Sequence, residues 1–160
     1  MCGIIASIGE YRYKEIPEAL IERGRDDSGI YQDEYVQLIQ TRLHITGGKV
    51  KLPYEWNDYV LLFNGEIYNW KELGGENEYQ SILMAYHRDE NMDEVLDGQY
   101  AIIIYNKRDN ECEYFLDKHR IHTLYYDNDI YSSNLRSLPS IEFNKIQSRG
   151  YGNITKQRVL

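Results

Sequence analysis

Three runs in this 160-residue chain hold residue types that could carry chemistry. The first is the amino terminus, Met1-Cys2-Gly3-Ile4. An initiator methionine is routinely trimmed before a small residue, and trimming here leaves one residue with both a thiol and a free α-amine. Such an amine has an ordinary pKa of roughly 7.7–8.0, close enough to neutrality to take the thiol proton and return it later. Nucleophile and base are then combined in a single amino acid. The second run is Asn64-Gly65-Glu66-Ile67-Tyr68-Asn69, directly after the apolar stretch Tyr59-Val60-Leu61-Leu62-Phe63. Asn-Gly fits a hairpin turn, although the residues beyond it do not read as a returning strand. The other reading is an oxyanion site, with a side-chain N–H from Asn64 and a backbone N–H from Gly65 in a tight turn. The third is Arg42, beside Leu43 and Ile45 near the end of a strand-like run. An arginine there either snorkels outward or is aimed at an anion in a cleft.

The elements that must position these groups follow from periodicity. Residues 3–8 read as a buried strand ending at Gly9. Ile16, Ala19 and Leu20 are spaced for a helix over 14–23, with Pro17 in its first turn and Gly24 as its stop. Residues 23–29 read as a solvated turn before a strand at 30–32. A strand over 35–45 closes on Gly47-Gly48, and 49–58 reads as a loop. The apolar run at 59–63 is a strand buried on both faces. Tyr79, Ile82, Leu83 and Tyr86 mark an amphipathic helix over 78–90, followed by a short helix at 92–96. Residues 100–105 form another buried strand, linked by a polar turn at 106–110 to one at 113–117. Residues 125–126 and 130–132 suggest a hairpin, and the chain turns polar from Gln147. The count, about eight strands and two main helices, implies a layered α+β architecture.

Bulk properties narrow the function. The length fits one domain with a real core. The formal charge of −8 argues against nucleic acid or an anionic membrane as partner. No apolar run approaches bilayer length and no signal sequence stands at the start, so a soluble, cytoplasmic protein is expected. Cys2 and Cys112 are the only cysteines and make no disulfide framework. Cys112, in a strand-like run, reads as a small core residue. His44, His87, His119 and His122 show no ligand-set or triad spacing, so neither a metal nor a cofactor is expected. Asp26-Asp27 reads as a solvated pair, and Trp56 and Trp70 as packing residues.

Taken together, the chemical runs resemble the glutaminase domain of class II glutamine amidotransferases, which are N-terminal-nucleophile hydrolases. The likeness is greatest to the N-terminal half of asparagine synthetases. It rests on Met1-Cys2-Gly3-Ile4, Arg23-Gly24-Arg25-Asp26-Asp27-Ser28-Gly29, Arg42-Leu43-His44-Ile45, the Asn64–Asn69 run, Leu96-Asp97-Gly98 and Leu124-Tyr125-Tyr126, in the family's order. The resemblance implies a four-layer αββα sandwich and hydrolysis of L-glutamine to glutamate and ammonia. By the same resemblance Cys2 is the nucleophile that forms a glutamyl thioester, and Asn64 and Gly65 form the oxyanion hole. Arg42 pairs with the substrate α-carboxylate, for which a planar fork is the natural partner. Glu66 matches the motif and supports the oxyanion turn.

The departures from the family are informative. Where it has an aspartate for the substrate α-ammonium, this chain has Glu78, with Asn77 or Glu76 as substitutes. Arg25 replaces a proline. Around 116–123 the chain has Leu116, Asp117, Arg120 and Thr123 where the family has arginine, aspartate, glycine and proline. A phosphate-binding Ser-Gly-Gly loop is missing, since neither Gly47-Gly48 nor Gly74-Gly75 has a strand-loop-helix context. The expectation is therefore a single glutaminase domain over 1–160, feeding a separate synthetase or aminating enzyme in trans. Two rivals remain: an N-terminal cysteine amidase acting on another amide, and a non-catalytic binding module in which Met1 stays attached.

Overall fold

The computed structural model describes residues 2–43, 49–140, 144–146 and 150–154. In chain order the elements are β1 (Cys2–Ser7), α1 (Glu18–Ile21), β2 (Asp27–Gln32), β3 (Gln37–Arg42), β4 (Tyr54–Trp56), β5 (Tyr59–Ile67), α2 (Glu78–His87) and α3 (Met92–Val95). They continue with β6 (Gly98–Asn106), β7 (Glu111–Leu116), β8 (Tyr125–Asp127), β9 (Ile130–Ser132), a 3-10 turn (Leu135–Ser137), β10 (Asn144–Lys145) and β11 (Gly150–Asn153). One sheet has the order β10-β8-β9-β1-β3-β2 and the other β11-β7-β6-β5-β4. All the strand pairs are antiparallel.

The period-two alternation of the strands builds the layers. Ile4, Ala6 and Leu38 from one sheet meet Val60, Leu62, Ala101, Ile103 and Tyr105 from the other in the central core. Their neighbours in sequence face the opposite way. Leu61, Phe63, Ile102 and Ile104 pack under Ile82 and Leu83 of α2. Ile5 and Ile39 pack under Leu20 of α1 and Leu138 beyond the 3-10 turn. The result is the αββα sandwich, with one helical layer made, among the described residues, of a turn of α and a turn of 3-10. Cys112 is fully buried in the central core, and Trp56 and Trp70 pack against the α2 layer.

Four local expectations are corrected. The helix over 14–23 shrinks to Glu18–Ile21, because Pro17 takes φ −57°, ψ 136° and stands outside it as the N-cap. The loop at 49–58 contains β4, a three-residue edge strand. Residues 150–153, within the polar tail, add β11 to the edge of β7. Asn64-Gly65 is neither a hairpin nor a tight turn: β5 runs on to Ile67, which pairs with Gly98. His44, Ile45 and Gly47-Gly48 lie outside the described residues. Among the described residues no helix is long and apolar enough to cross a membrane.

Candidate active site

Strand register assembles the site. β1 and β3 pair so that Cys2 lies opposite Arg42 and Ile4 opposite Gln40. Cys2 has the parity of core-facing Ile4 and Ala6, and Arg42 the parity of Leu38, so both belong to the face that looks toward the second sheet. On β5, Asn64 shares parity with core-facing Val60 and Leu62. The two sheets thus deliver Cys2, Arg42 and Asn64 to one end of the space between them. The Cys2 nitrogen donates to Asn64 Oδ1 at 3.2 Å across that space.

A cavity of about 340 Å³ opens there. Cys2, Arg42, Asn64, Gly65, Glu66 and Glu78 all line it. Every residue singled out from the sequence as catalytic or substrate-binding therefore meets in one place. Of the three alternatives at 76–78, Glu78 is the one on the cavity wall. The Asn77 side chain instead caps α2 by accepting from the Gln80 N–H at 2.9 Å.

Gly65 has φ +142°, and a Cβ there would lie 2.0 Å from the Gln99 carbonyl oxygen. Glycine is thus required for β5 to continue against β6 past Asn64. Glu66 lies opposite Gln99, exposed at the cavity wall, and stands in a strand rather than a turn. Gly24 has a related role, since a Cβ would meet the Arg42 nitrogen at 2.4 Å. The 23–29 segment is thereby pressed onto the end of β3, with the Asp26 N–H donating to the Arg42 carbonyl at 3.1 Å. That contact brings Arg23 to the cavity wall, which composition alone did not reveal.

Arg42 is buried, with its guanidinium carbon 5.6 Å from the centre of the Tyr79 ring. The Glu78 carboxylate accepts from the Ile67 N–H at 2.9 Å. Burial pushes its pKa up, aided by Glu66 and opposed by the Ile67 hydrogen bond and Arg42. The Cys2 thiol is likewise raised by burial, which outweighs the lowering effects of the amino terminus, the Leu43 backbone, Arg42 and Gln40. A thiol held protonated needs a base beside it before it can attack.

The opposite wall carries Ile121, His122 and Thr123. Asp117 holds this loop. Fully buried, it accepts from the N–H groups of Tyr100 (3.0 Å), His119 (3.0 Å) and Ile121 (3.3 Å). Burial pushes the His122 imidazole below its ordinary value. The amino terminus and Arg23 act in the same direction, while Asp117 and Glu66 oppose. Sequence spacing had assigned His122 no role at a site, because its approach depends on the Asp117 loop.

The chain belongs to the glutamine amidotransferase domain family, whose model, a glutamine amidotransferase domain, matches residues 1–150. Among curated relatives, the glutamine-hydrolysing asparagine synthetase 1 of Bacillus subtilis is 31% identical, over 86% of this chain and 26% of that protein. The Brassica oleracea asparagine synthetase is 32% identical, over 78% and 25%. The chain thus spans about a quarter of the length of these relatives. Among solved structures, the B. subtilis glutamine phosphoribosylpyrophosphate amidotransferase superposes with a TM-score of 0.70 at 15% identity. That match covers 94% of this chain and 48% of the other. The family-model match and the synthetase relatives define an amidotransferase domain of the asparagine synthetase type, and the structural likeness bears out the expected sandwich.

Proposed function

We propose that this protein hydrolyses the side-chain amide of L-glutamine through an N-terminal cysteine, giving glutamate and ammonia. The observation that carries the reading is the bond from the Cys2 nitrogen to Asn64 Oδ1. Once Met1 is removed, that nitrogen is the α-amine, and Asn64 fixes it beside its own thiol. An amide that accepts through Oδ1 keeps Nδ2 as its donor end. In this reading Nδ2 and the Gly65 N–H receive the developing oxyanion.

The α-amine takes the Cys2 thiol proton as Sγ attacks the amide carbon. The tetrahedral intermediate collapses, the C–N bond breaks, and the ammonium returns the proton to the departing ammonia. Water, deprotonated by the same amine, then attacks the glutamyl thioester and releases glutamate and the thiol. Arg42 pairs with the substrate α-carboxylate and Glu78 with its α-ammonium, while Glu66 supports the oxyanion strand. The matched relatives are named as glutamine-hydrolysing synthetases, and the match covers a quarter of each. An acceptor enzyme that takes the ammonia in trans is the corresponding part of the proposal.

Glutamate release from L-glutamine, measured beside Cys2→Ala and with Nα-acylated glutamine as competitor substrate, tests the reading. Cys2-dependent release confined to the free amino acid supports it. Equal turnover of the acylated amide points to a different amidase, and no release from mass-verified processed protein overturns it.

A further inference from the structure

We propose that Gln40 and Tyr79 are positioning residues for this site: the Gln40 amide sets the separation of the Cys2 and Asn64 strands, and the Tyr79 ring seats Arg42. The proposal rests on the glutaminase reading above. Gln40 is fully buried on β3 between Leu38 and Arg42, facing the space between the sheets. Its Nε2 donates to the Phe63 carbonyl at 2.9 Å, and its Oε1 accepts from the Phe63 N–H at 3.2 Å. Both backbone groups of the residue preceding Asn64 are thus clamped by one side chain. Nε2 also donates to the Tyr79 hydroxyl at 3.3 Å, and Gln40 is one of the groups that lower the Cys2 thiol against its burial.

An amide among Ile4, Leu38 and Leu62 costs free energy unless it is bonded. Here its bonds run to the oxyanion strand and to α2. Tyr79 is equally held. Its ring lies edge-on to Phe63, with centroids 5.4 Å apart, and beneath the Arg42 guanidinium at 5.6 Å. A desolvated cation over such a face is fixed in direction, as a bidentate carboxylate partner requires. The charged and titratable groups around the thiol are the amino terminus, Arg42 on β3, Glu66 on β5, Glu78 and Tyr79 on α2, and Arg23 and His122 on the facing loops.

The test separates the two residues from each other and from the glutaminase reading. Alkylation of Cys2 by iodoacetamide is followed against pH by mass spectrometry in the wild type, Gln40→Met and Gln40→Glu, each shown to be folded. Met removes the amide that lowers the thiol and Glu replaces it with negative charge. The apparent thiol pKa should therefore rise in the order wild type, Met, Glu. In glutamine turnover, Gln40→Met should lower kcat roughly 10- to 100-fold with little change in KM. A merely structural residue gives no such order, and coincident profiles in folded variants overturn the Gln40 assignment.

For Tyr79, calorimetry measures L-glutamine binding in a Cys2→Ala background. Tyr79→Leu should weaken binding about 10-fold and Tyr79→Phe, which keeps the ring, less than about twofold. Equal affinities overturn the Tyr79 assignment. No glutamine binding at all in the background protein overturns the glutaminase reading and Tyr79 with it, while the alkylation order still decides Gln40.

Discussion

The two ends of the space between the sheets use polar side chains in opposite ways. At the end away from Cys2, Asp33 sits in the β2–β3 connection and is surrounded by donors. It accepts from the Tyr105 hydroxyl at 2.8 Å, the Tyr31 hydroxyl at 3.0 Å, and the N–H groups of Tyr35 and Val36 at 2.8 and 2.9 Å. Tyr105 comes from β6, so this carboxylate ties one sheet to the other. At the other end Glu78 accepts one backbone N–H and faces a cavity. Burial acts to raise both carboxyls. At Asp33 the hydrogen bonds from Tyr35, Tyr105, Val36 and Tyr31 outweigh it and hold the pKa below the ordinary range. At Glu78 burial prevails, with Glu66 adding to it, and the pKa is raised. A satisfied carboxylate is a clasp, whereas an unsatisfied one facing a cavity is available to a cationic ligand group.

Four substitutions would break or sharpen this contrast. The largest effect is expected from Cys2→Ala, which should abolish glutamate release by roughly 10³-fold or more in an end-point assay while leaving thermal stability near wild type. Gly65→Ala comes next. Its Cβ cannot coexist with the Gln99 carbonyl, so both turnover, by about 10²-fold, and melting temperature should fall.

Asp33→Ala should cost about 1–2 kcal/mol in chemical denaturation by removing the acceptor of the Tyr31 phenol and one of the two acceptors of Tyr105, with turnover per folded molecule unchanged. Because its folded pKa is depressed, the stability Asp33 contributes is present above its unfolded value and lost as pH falls through the folded one. The wild type's acid-side loss of stability should therefore be blunted in Asp33→Ala, as melting curves across acidic pH would show.

The smallest effect overall, with the opposite sign on stability, is expected from Glu78→Gln. A raised carboxyl favours the folded state below its unfolded pKa, and that contribution is lost as pH rises through the folded value. At neutral pH the Gln variant should therefore melt at or slightly above wild type. Its KM for glutamine should still rise about 10-fold, as steady-state kinetics would report.

Part of this fold and site was legible in the sequence. Cys2 and Asn64-Gly65 stood out by residue type beside apolar runs with strand periodicity, whereas Arg42 was ambiguous on its residues and was assigned through the family resemblance. The layers were legible because β1, β3, β5 and β6 alternate cleanly between two apolar faces. Gln40 and Tyr79 were not, since a glutamine in a strand and a tyrosine on a helix acquire roles only when two sheets and α2 converge. Arg23 and His122 reach the cavity through the Gly24 contact and the Asp117 loop, and both of those are tertiary. β11 was missed because Gly-Tyr-Gly-Asn carries no apolar alternation and is recruited by an open sheet edge.

The central claim is that the α-amine of Cys2, held by Asn64, is the base for its own thiol. Its most direct test compares glutamate release by mass-verified processed protein with the same chain carrying one extra residue before Cys2. The account predicts rapid release from the processed form and a loss of roughly 10²-fold or more in the extended one, whose thiol still alkylates. Equal rates from the two forms would contradict it.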